Sequence, residues 1–232
     1  MHLARGAGMG RRGFRGPPSV TAATTAPTAL RLPPVAGRRP FLKGGAVHAI
    51  MQEHVVQVYT DDQVLVRDVG RYLAAGIDTG GAAVAIATPE HLAAFEAHLG
   101  TGRTQGQRWM TATAQEMLPR VLAGGWPDAS RFRGEVVPML DAAQQAGNGR
   151  VVVFGELVAL LALQGRLDAA LEVERLWGDI LAQRPFELWC GYLVDAFTQL
   201  QGHEAYVQTC RLHTRVRSPR DSGHMASPAV PT

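Results

Sequence analysis

Several acidic and aromatic side chains end or directly follow apolar segments that are typical of buried β-strands. Glu156 comes immediately after VVVFG, while Tyr59 ends HVVQVY and is followed by Asp61 and Asp62. Parallel α/β sheets place their ligand-binding groups at the carboxyl ends of strands, so these side chains are expected to share one edge. Three carboxylates there could bind a cation or a polar ligand, and Tyr59 could stack on that ligand. Tyr192, near the end of the segment FELWCGYLV, is expected to close the same crevice.

Each of these side chains also has a purely structural interpretation. Besides the functional alternative of a metal ligand, Glu156 could simply be an acid in the first turn of a helix, where the helix dipole stabilises a negative charge. Asp61 and Asp62 could be a helix cap and a solvated charge. Tyr59 could pack in the core, which is the commoner position for a tyrosine that ends a strand. The sequence leaves these alternatives open.

Another group of polar residues lies near the end of the chain. His203, Tyr206, Cys210 and His213 are spaced three, four and three residues apart, which would place them on one face of a helix. Together with Cys190 they could form a site for a soft metal. No closed zinc spacing is present, however, and an interior helix face with satisfied polar groups explains the pattern equally. We therefore predict no metal ligand and no cofactor.

Composition excludes several classes of function. Lys43 is the only lysine, so the sequence after it has no lysine for a phosphate-binding loop or a Schiff base. Residues 1–50 hold eight of the 23 basic residues and no acidic residue, so the rest of the chain carries 15 basic against 20 acidic residues, a net charge of −5. That charge argues against a nucleic-acid partner.

The apolar and cysteine patterns indicate where such a protein would be found. No apolar run reaches the roughly 18 residues that a membrane helix needs, so no membrane association is expected. Cys190 and Cys210 do not form a C-x-x-C pair, which indicates reduced thiols and a cytoplasmic protein.

Hydrophobic periodicity predicts strands that alternate with helices. The predicted strands are 54–59, 82–88, 108–111, 151–154 and 186–194, and the predicted helices are 63–75, 89–99, 113–122, 129–146, 157–163, 166–183 and 203–216. This alternation predicts an α/β fold of three layers, in which a mostly parallel sheet carries helices on both faces.

The chain ends differ in composition from this domain. Residues 1–46 are rich in Gly, Pro, Ala, Thr and Arg, which predicts either a disordered basic arm or sequence upstream of a true start at Met51. The folded domain is predicted to span 53–216, and residues 217–232 are predicted to be a disordered tail.

Four segments together resemble a known family: HVVQVYTDD, AAVAIATPEHLAAFEAHL, RVVVFGELVALLALQGRLDAALEVERLWGDILAQRPFELWCGYLVDAF and a final H-x-x-Y-V-x-x-C-x-x-H. They resemble the MEDS domain, the sensory domain named for methanogen and methylotroph regulators of the dichloromethane-repressor type. The resemblance covers residues 53–216 and is weakest over 100–125. The positions that match the family are His54, Gln57, Tyr59, Asp61, Asp62, Glu156, Cys190, Tyr192, His203 and His213.

The resemblance implies a RecA- or KaiC-related fold that has lost its phosphate-binding loop, in agreement with the missing lysine. It also implies a non-catalytic sensory domain in bacterial signal transduction. Such a domain would bind a small, hydrocarbon-derived ligand or a signalling partner, namely a histidine kinase or a transcription regulator. On this interpretation Tyr59, Asp61, Asp62, Glu156 and Tyr192 form the ligand-binding site.

Two other functions stay open at this point. One is a degenerate nucleotide-binding, ATPase-like enzyme, in which Glu156 would be a surviving acid of the RecA-type site. The other is a regulator that binds only proteins and has no small ligand.

Overall fold

A computed structural model describes residues 52–198 and 202–218, and every structural statement below refers to these residues. The strands are β1 (His54–Tyr59), β2 (Ala82–Ala87), β3 (Trp109–Thr113), β4 (Leu122–Ala123), β5 (Trp126–Pro127), β6 (Val151–Gly155), β7 (Glu187–Leu193) and β8 (Arg215–Arg217). The helices are α1 (Asp62–Asp78), α2 (Pro89–Leu99), α3 (Thr101–Thr104), α4 (Ala114–Val121), α5 (Ala129–Ala146), α6 (Leu157–Leu163), α7 (Leu167–Leu181) and α8 (Gly202–Leu212), with a 3-10 helix at Val194–Phe197.

Six strands form one parallel sheet in the order β3-β2-β6-β7-β1-β8. β6 lies inside the sheet between β2 and β7, and all five of its residues are buried. The α/β class and the parallel sheet are therefore confirmed. A RecA- or KaiC-like relationship stays a prediction.

Alternate residues of each strand face two separate cores, which makes the molecule three layers thick. Val55, Tyr59 and Phe154 pack with the buried sides of α1 and α2. Val56, Val58 and Val153 face the other way, where they pack with residues of α4 to α8. α1 lies very close to the sheet at Gly76, where an added Cβ would be 2.3 Å from a methyl group of Val152. The predicted layers, with helices on both faces, are thus confirmed.

The C-terminal part of the domain differs from the prediction of one helix over 203–216. α8 ends at Leu212, and the Thr214 N–H donates to the carbonyl oxygen of His54 over 2.8 Å. This hydrogen bond places the next residues beside β1, so β8 rather than β7 is the last strand of the described part. A strand of three residues is too short to show a periodic pattern, which explains why it was missed.

The predicted chain ends lie mostly outside the described residues. This holds for the arm over 1–46 and for the tail from residue 219 onward. Arg217, which the sequence placed in the tail, belongs to β8.

A small hairpin lies at the end of the segment that departs most from the family pattern. β4 and β5 pair antiparallel around Gly124 and Gly125, whose φ values are +57° and +84°. Two consecutive positive φ values suit a two-residue hairpin turn, and glycine adopts them without strain. Of the helices in the described part of the chain, none combines the length and the apolar character that crossing a membrane requires.

Candidate functional site

Glu156 is a buried carboxylate at the carboxyl end of β6, where it occupies the residue before α6. Its side chain makes no capping hydrogen bond to α6. Instead, one carboxylate oxygen accepts the backbone N–H of Thr88 over 2.8 Å, and the other lies 2.7 Å from Nδ1 of His91. Because only 3% of Glu156 is exposed, both hydrogen bonds are shielded from water. The carboxylate therefore acts on the start of α2, not on its own helix.

His91 is the residue that connects Glu156 to the molecular surface. The Thr88 side chain caps α2 by accepting the His91 N–H, and Pro89 follows in the first helical position. This cap places the imidazole over the end of the neighbouring strand β6. On its far side, Nε2 lies 3.7 Å from the carboxylate of Asp62 at the start of α1. The ring of Tyr59 contacts His91 edge-on, with 6.5 Å between ring centroids.

The electrostatics of this group favour a charged histidine and a neutral tyrosine. Burial alone would lower the pKa of His91, but the hydrogen bond and the charge of Glu156, together with Asp62, outweigh it and raise that pKa. Burial raises the pKa of Tyr59, and the charges of Glu156 and Asp62 raise it further. We call Tyr59, Asp62, His91 and Glu156 the edge cluster.

A groove of about 430 Å³ lies between α1 and α2 and reaches the edge cluster. Its walls mix charged, polar and small apolar side chains, namely Asp62, Gln63, Val66, Arg67, Glu90, His91, Ala94 and His98. The side chain of Asp62 is 69% exposed, whereas Glu156 is hidden behind His91. His91 is therefore the group through which anything in the groove would act on Glu156.

The structure brings three of the five predicted site residues together, since Tyr59, Asp62 and Glu156 all surround His91. Asp61 lies at the same edge of the sheet, but its carboxylate accepts the Gln63 N–H over 2.8 Å and caps α1. His91 itself was not predicted as a site residue. The signal for it was the Thr-Pro start of α2, which fixes His91 at the carboxyl edge of β2.

Tyr192 does not close this groove, contrary to the expectation from sequence. It is 1% exposed and lies in the core on the opposite face of the sheet, with Cys190 and residues of α7. Its hydroxyl donates to a carboxylate oxygen of Glu174 over 2.9 Å. The reason is the alternation of side chains along a strand, which turns Tyr192 away from the face that Tyr59 occupies.

Tyr192 borders a second polar group, which the sequence analysis found only in part. It consists of His54 on β1, Glu174 on α7, Cys190 on β7 and His213 just after α8, and we call it the inner cluster. One oxygen of Glu174 lies 3.2 Å from Nε2 of His54, 3.4 Å from Sγ of Cys190 and 3.4 Å from Nε2 of His213. Nε2 of His54 is also 3.6 Å from Sγ of Cys190.

The inner cluster is a buried carboxylate between two histidines. Burial would raise the pKa of Glu174, but the positive charges of His213 and His54 beside it outweigh burial and hold that pKa far below its usual range. Burial and the charge of Glu174 both raise the pKa of the Cys190 thiol. These four side chains could together hold a metal ion, because their donor atoms all lie within 4.8 Å of one another.

The signal for the inner cluster was the position of Glu174 within α7. It lies four residues after Ala170 and three before Trp177, which places a carboxylate on the apolar face of the helix. The helix face proposed from sequence is only partly involved. His213 and Cys190 belong to the cluster, whereas His203 is exposed and Cys210 is only partly buried.

The fold is that of an α/β domain, with a groove that reaches the carboxyl edge of its parallel sheet. The sequence model of one family, described as MEDS, the methanogen/methylotroph, DcmR sensory domain, matches residues 53–213. Since the match spans most of the chain, this protein belongs to the MEDS family of sensory domains. No curated protein and no solved structure gives a significant match to the chain.

Proposed function

We propose that this chain is a non-catalytic sensory domain whose ligand binds in the groove between α1 and α2. The observation that carries the proposal is the double role of His91, which lines the groove and is hydrogen-bonded to the buried Glu156. A ligand that contacts the imidazole changes its charge or position. Glu156 then transmits that change to β6 and to the start of α2.

The groove suits a small molecule with an apolar body and one polar end. Val66 and Ala94 offer apolar contacts, while His91 and Asp62 offer a donor and an acceptor at the inner end. A hydrocarbon-derived molecule that carries one oxygen or halogen fits this chemistry. The ligand would shift the edge cluster from its ligand-free to its ligand-bound arrangement. The size of that shift is set by the difference in the ligand's affinity for the two arrangements.

The proposed context is a bacterial signalling pathway in the cytoplasm, in which the domain passes its state to a histidine kinase or a transcription regulator. This context rests on the family relationship. An ATPase-like enzyme has less support, since only Thr60 and Asp61 connect β1 to α1. Neither a lysine nor a glycine-rich loop is available at that point to bind phosphates.

The test is the variant Glu156→Gln, studied with the full chain purified from its own host. Native mass spectrometry of the wild-type protein identifies a co-purifying small molecule, and methyl NMR of Val66 and Ala94 then locates it. We expect the variant to fold, because glutamine can still accept one hydrogen bond, but to lose the ligand-dependent shifts. Glu116→Gln, on the exposed surface of α4, is the matched control.

Two results would contradict the proposal. One is a ligand whose shifts lie away from Val66 and Ala94. The other is an unchanged ligand response in Glu156→Gln, which would show that the carboxylate only stabilises the start of α2.

A further inference from the structure

Most of the distances between the four donor atoms of the inner cluster match those of a tetrahedral metal site. Zinc bonds to protein nitrogen, oxygen and sulfur measure about 2.0–2.3 Å, so ligand atoms of a tetrahedral site lie about 3.3–3.6 Å apart. The distances described above are 3.2, 3.4, 3.4 and 3.6 Å for four of the six pairs. The two remaining pairs, from His213 to His54 and to Cys190, lie within 4.8 Å. We propose that the inner cluster is a zinc site with His54, Glu174, Cys190 and His213 as its ligands.

One ligand atom makes no hydrogen bond, although it lies in the ion pair with Glu174 described above. Nε2 of His213 is buried and makes no hydrogen bond, although its side chain is 0% exposed. A buried nitrogen without a hydrogen bond costs free energy, which a bound cation would remove. This observation is independent of the distances and points to the same occupant.

The contacts behind the ligands also fit a metal site. Nδ1 of His213 lies 2.6 Å from the carbonyl oxygen of Thr209, which orients Nε2 toward the cluster. The hydroxyl of Tyr192 donates to the oxygen of Glu174 that faces away from the histidines. Ligating histidines and carboxylates in metal sites are commonly held by such outer hydrogen bonds.

The charges of the proposed site cancel. On binding, the Cys190 thiol releases its proton to solvent, and the thiolate and the Glu174 carboxylate then carry one negative charge each. Any proton on Nε2 of His54 or His213 is also released to solvent, so two neutral imidazoles complete the set and the charge of Zn²⁺ is balanced. A neutral assembly can be buried at far lower cost than an unpaired charge, which agrees with a Glu174 side chain that is 0% exposed.

The ligands come from parts of the chain that are far apart in sequence. His54 and Cys190 lie on neighbouring strands, Glu174 lies on α7, and His213 lies between α8 and β8. The ion would therefore attach the C-terminal segment to the sheet. This role does not depend on the groove, so the zinc site and the proposed sensory function can fail separately.

The experiment uses the full chain with Co²⁺ as a spectroscopic probe and Zn²⁺ as its competitor. We expect one zinc ion per chain in protein purified without chelators. After removal of zinc, Co²⁺ should produce intense tetrahedral ligand-field bands and a thiolate-to-cobalt charge-transfer band, and one equivalent of Zn²⁺ should abolish both. Cys190→Ser should lose the charge-transfer band, whereas Cys210→Ser, the matched control, should retain it. Tyr192→Phe should weaken Co²⁺ binding by about 10-fold through its outer hydrogen bond.

The wild-type titration decides the question even if a variant does not fold. A folded wild-type protein that binds no Co²⁺, or binds it with weak octahedral bands only, would overturn the proposal. Retention of the charge-transfer band in Cys190→Ser together with its loss in Cys210→Ser would also overturn it, because the thiolate would then be Cys210.

Discussion

The edge cluster and the inner cluster both join a histidine to a glutamate, but they lie on opposite faces of the sheet and differ in their access to solvent. In the edge cluster, His91 lies between the buried Glu156 and an Asp62 side chain that is 69% exposed. In the inner cluster, the side chains of Glu174 and His213 are both 0% exposed. The two groups therefore have similar chemistry in different surroundings.

This difference assigns different roles to similar side chains. A histidine that borders a groove can exchange its contacts with a ligand at little cost, because water is already present on one side. A histidine enclosed beside a buried carboxylate cannot do so, because breaking that contact would leave an unpaired charge in the core. The open cluster suits a response, and the closed cluster suits a permanent link between distant parts of the chain.

The largest predicted effect separates the two glutamates by stability. Glu174→Ala leaves two histidines and Tyr192 without their shared partner, and we expect a loss of about 3–5 kcal/mol in the free energy of unfolding. Glu156→Ala should cost about 1–3 kcal/mol, because His91 can turn toward Asp62 and water. Urea unfolding followed by circular dichroism measures both. Equal losses would remove the contrast between the clusters.

A smaller effect is expected at Asp61, which lies beside the edge cluster but caps α1. Asp61→Ala should lower stability by about 1 kcal/mol, the usual cost of losing a capping side chain. The same variant should leave the NMR titration of His91 unchanged, whereas Asp62→Asn should lower the pKa of His91. A shift of the His91 titration in Asp61→Ala would place Asp61 in the edge cluster.

The next prediction concerns the pH dependence that the edge cluster adds. Glu156 and Asp62 raise the pKa of His91 in the folded state above that of an unfolded histidine, about 6.5. The stabilisation from the charged histidine is therefore complete below pH of about 6.5 and is lost as the pH rises through the folded-state pKa. Comparing the free energy of unfolding of the wild-type protein with that of Glu156→Gln isolates this stabilisation. The difference in stability between them should shrink toward alkaline pH, and a growing difference would contradict the assignment.

The smallest expected effect is that of ATP on the groove. Without a lysine or a glycine-rich loop, the phosphates would find no charged partner after β1, and we predict no hydrolysis and no binding tighter than about millimolar. Calorimetry with Mg-ATP measures this directly. Micromolar affinity would favour the ATPase-like alternative.

Several parts of the edge cluster could be predicted from sequence because they depend only on local pattern. An apolar segment followed by Glu156, and a Thr-Pro pair that starts a helix, each identify a strand end without knowledge of the fold. The contact between Glu156 and His91 could not be predicted, because it requires β2 and β6 to be neighbours. Strand order depends on the packing of the whole domain.

The inner cluster was harder to predict for the same reason. His54 and Cys190 meet only because β1 pairs with β7, and His213 joins them only because α8 ends at Leu212. Tyr192 was assigned to the groove only because it lies near the end of its strand, whereas the register of β7 beside β1 places it next to Val58, on the face opposite Tyr59. Glu174 is the one member of the cluster with a local signal in the sequence, because it is a charged residue within the apolar stripe of a helix.

The position of β1 in the sheet also determines the order in which the domain can assemble during synthesis. β2, β3 and β6 are all made before β7 and can pair with one another early. β1 is made before all of them, but its neighbours β7 and β8 come last, and His54 precedes its contact Cys190 by 136 residues. Contacts so distant in sequence slow folding, because a long loop must close first. On the ribosome, β1 therefore stays without a strand partner until nearly the whole domain has emerged, which would leave it open to a chaperone.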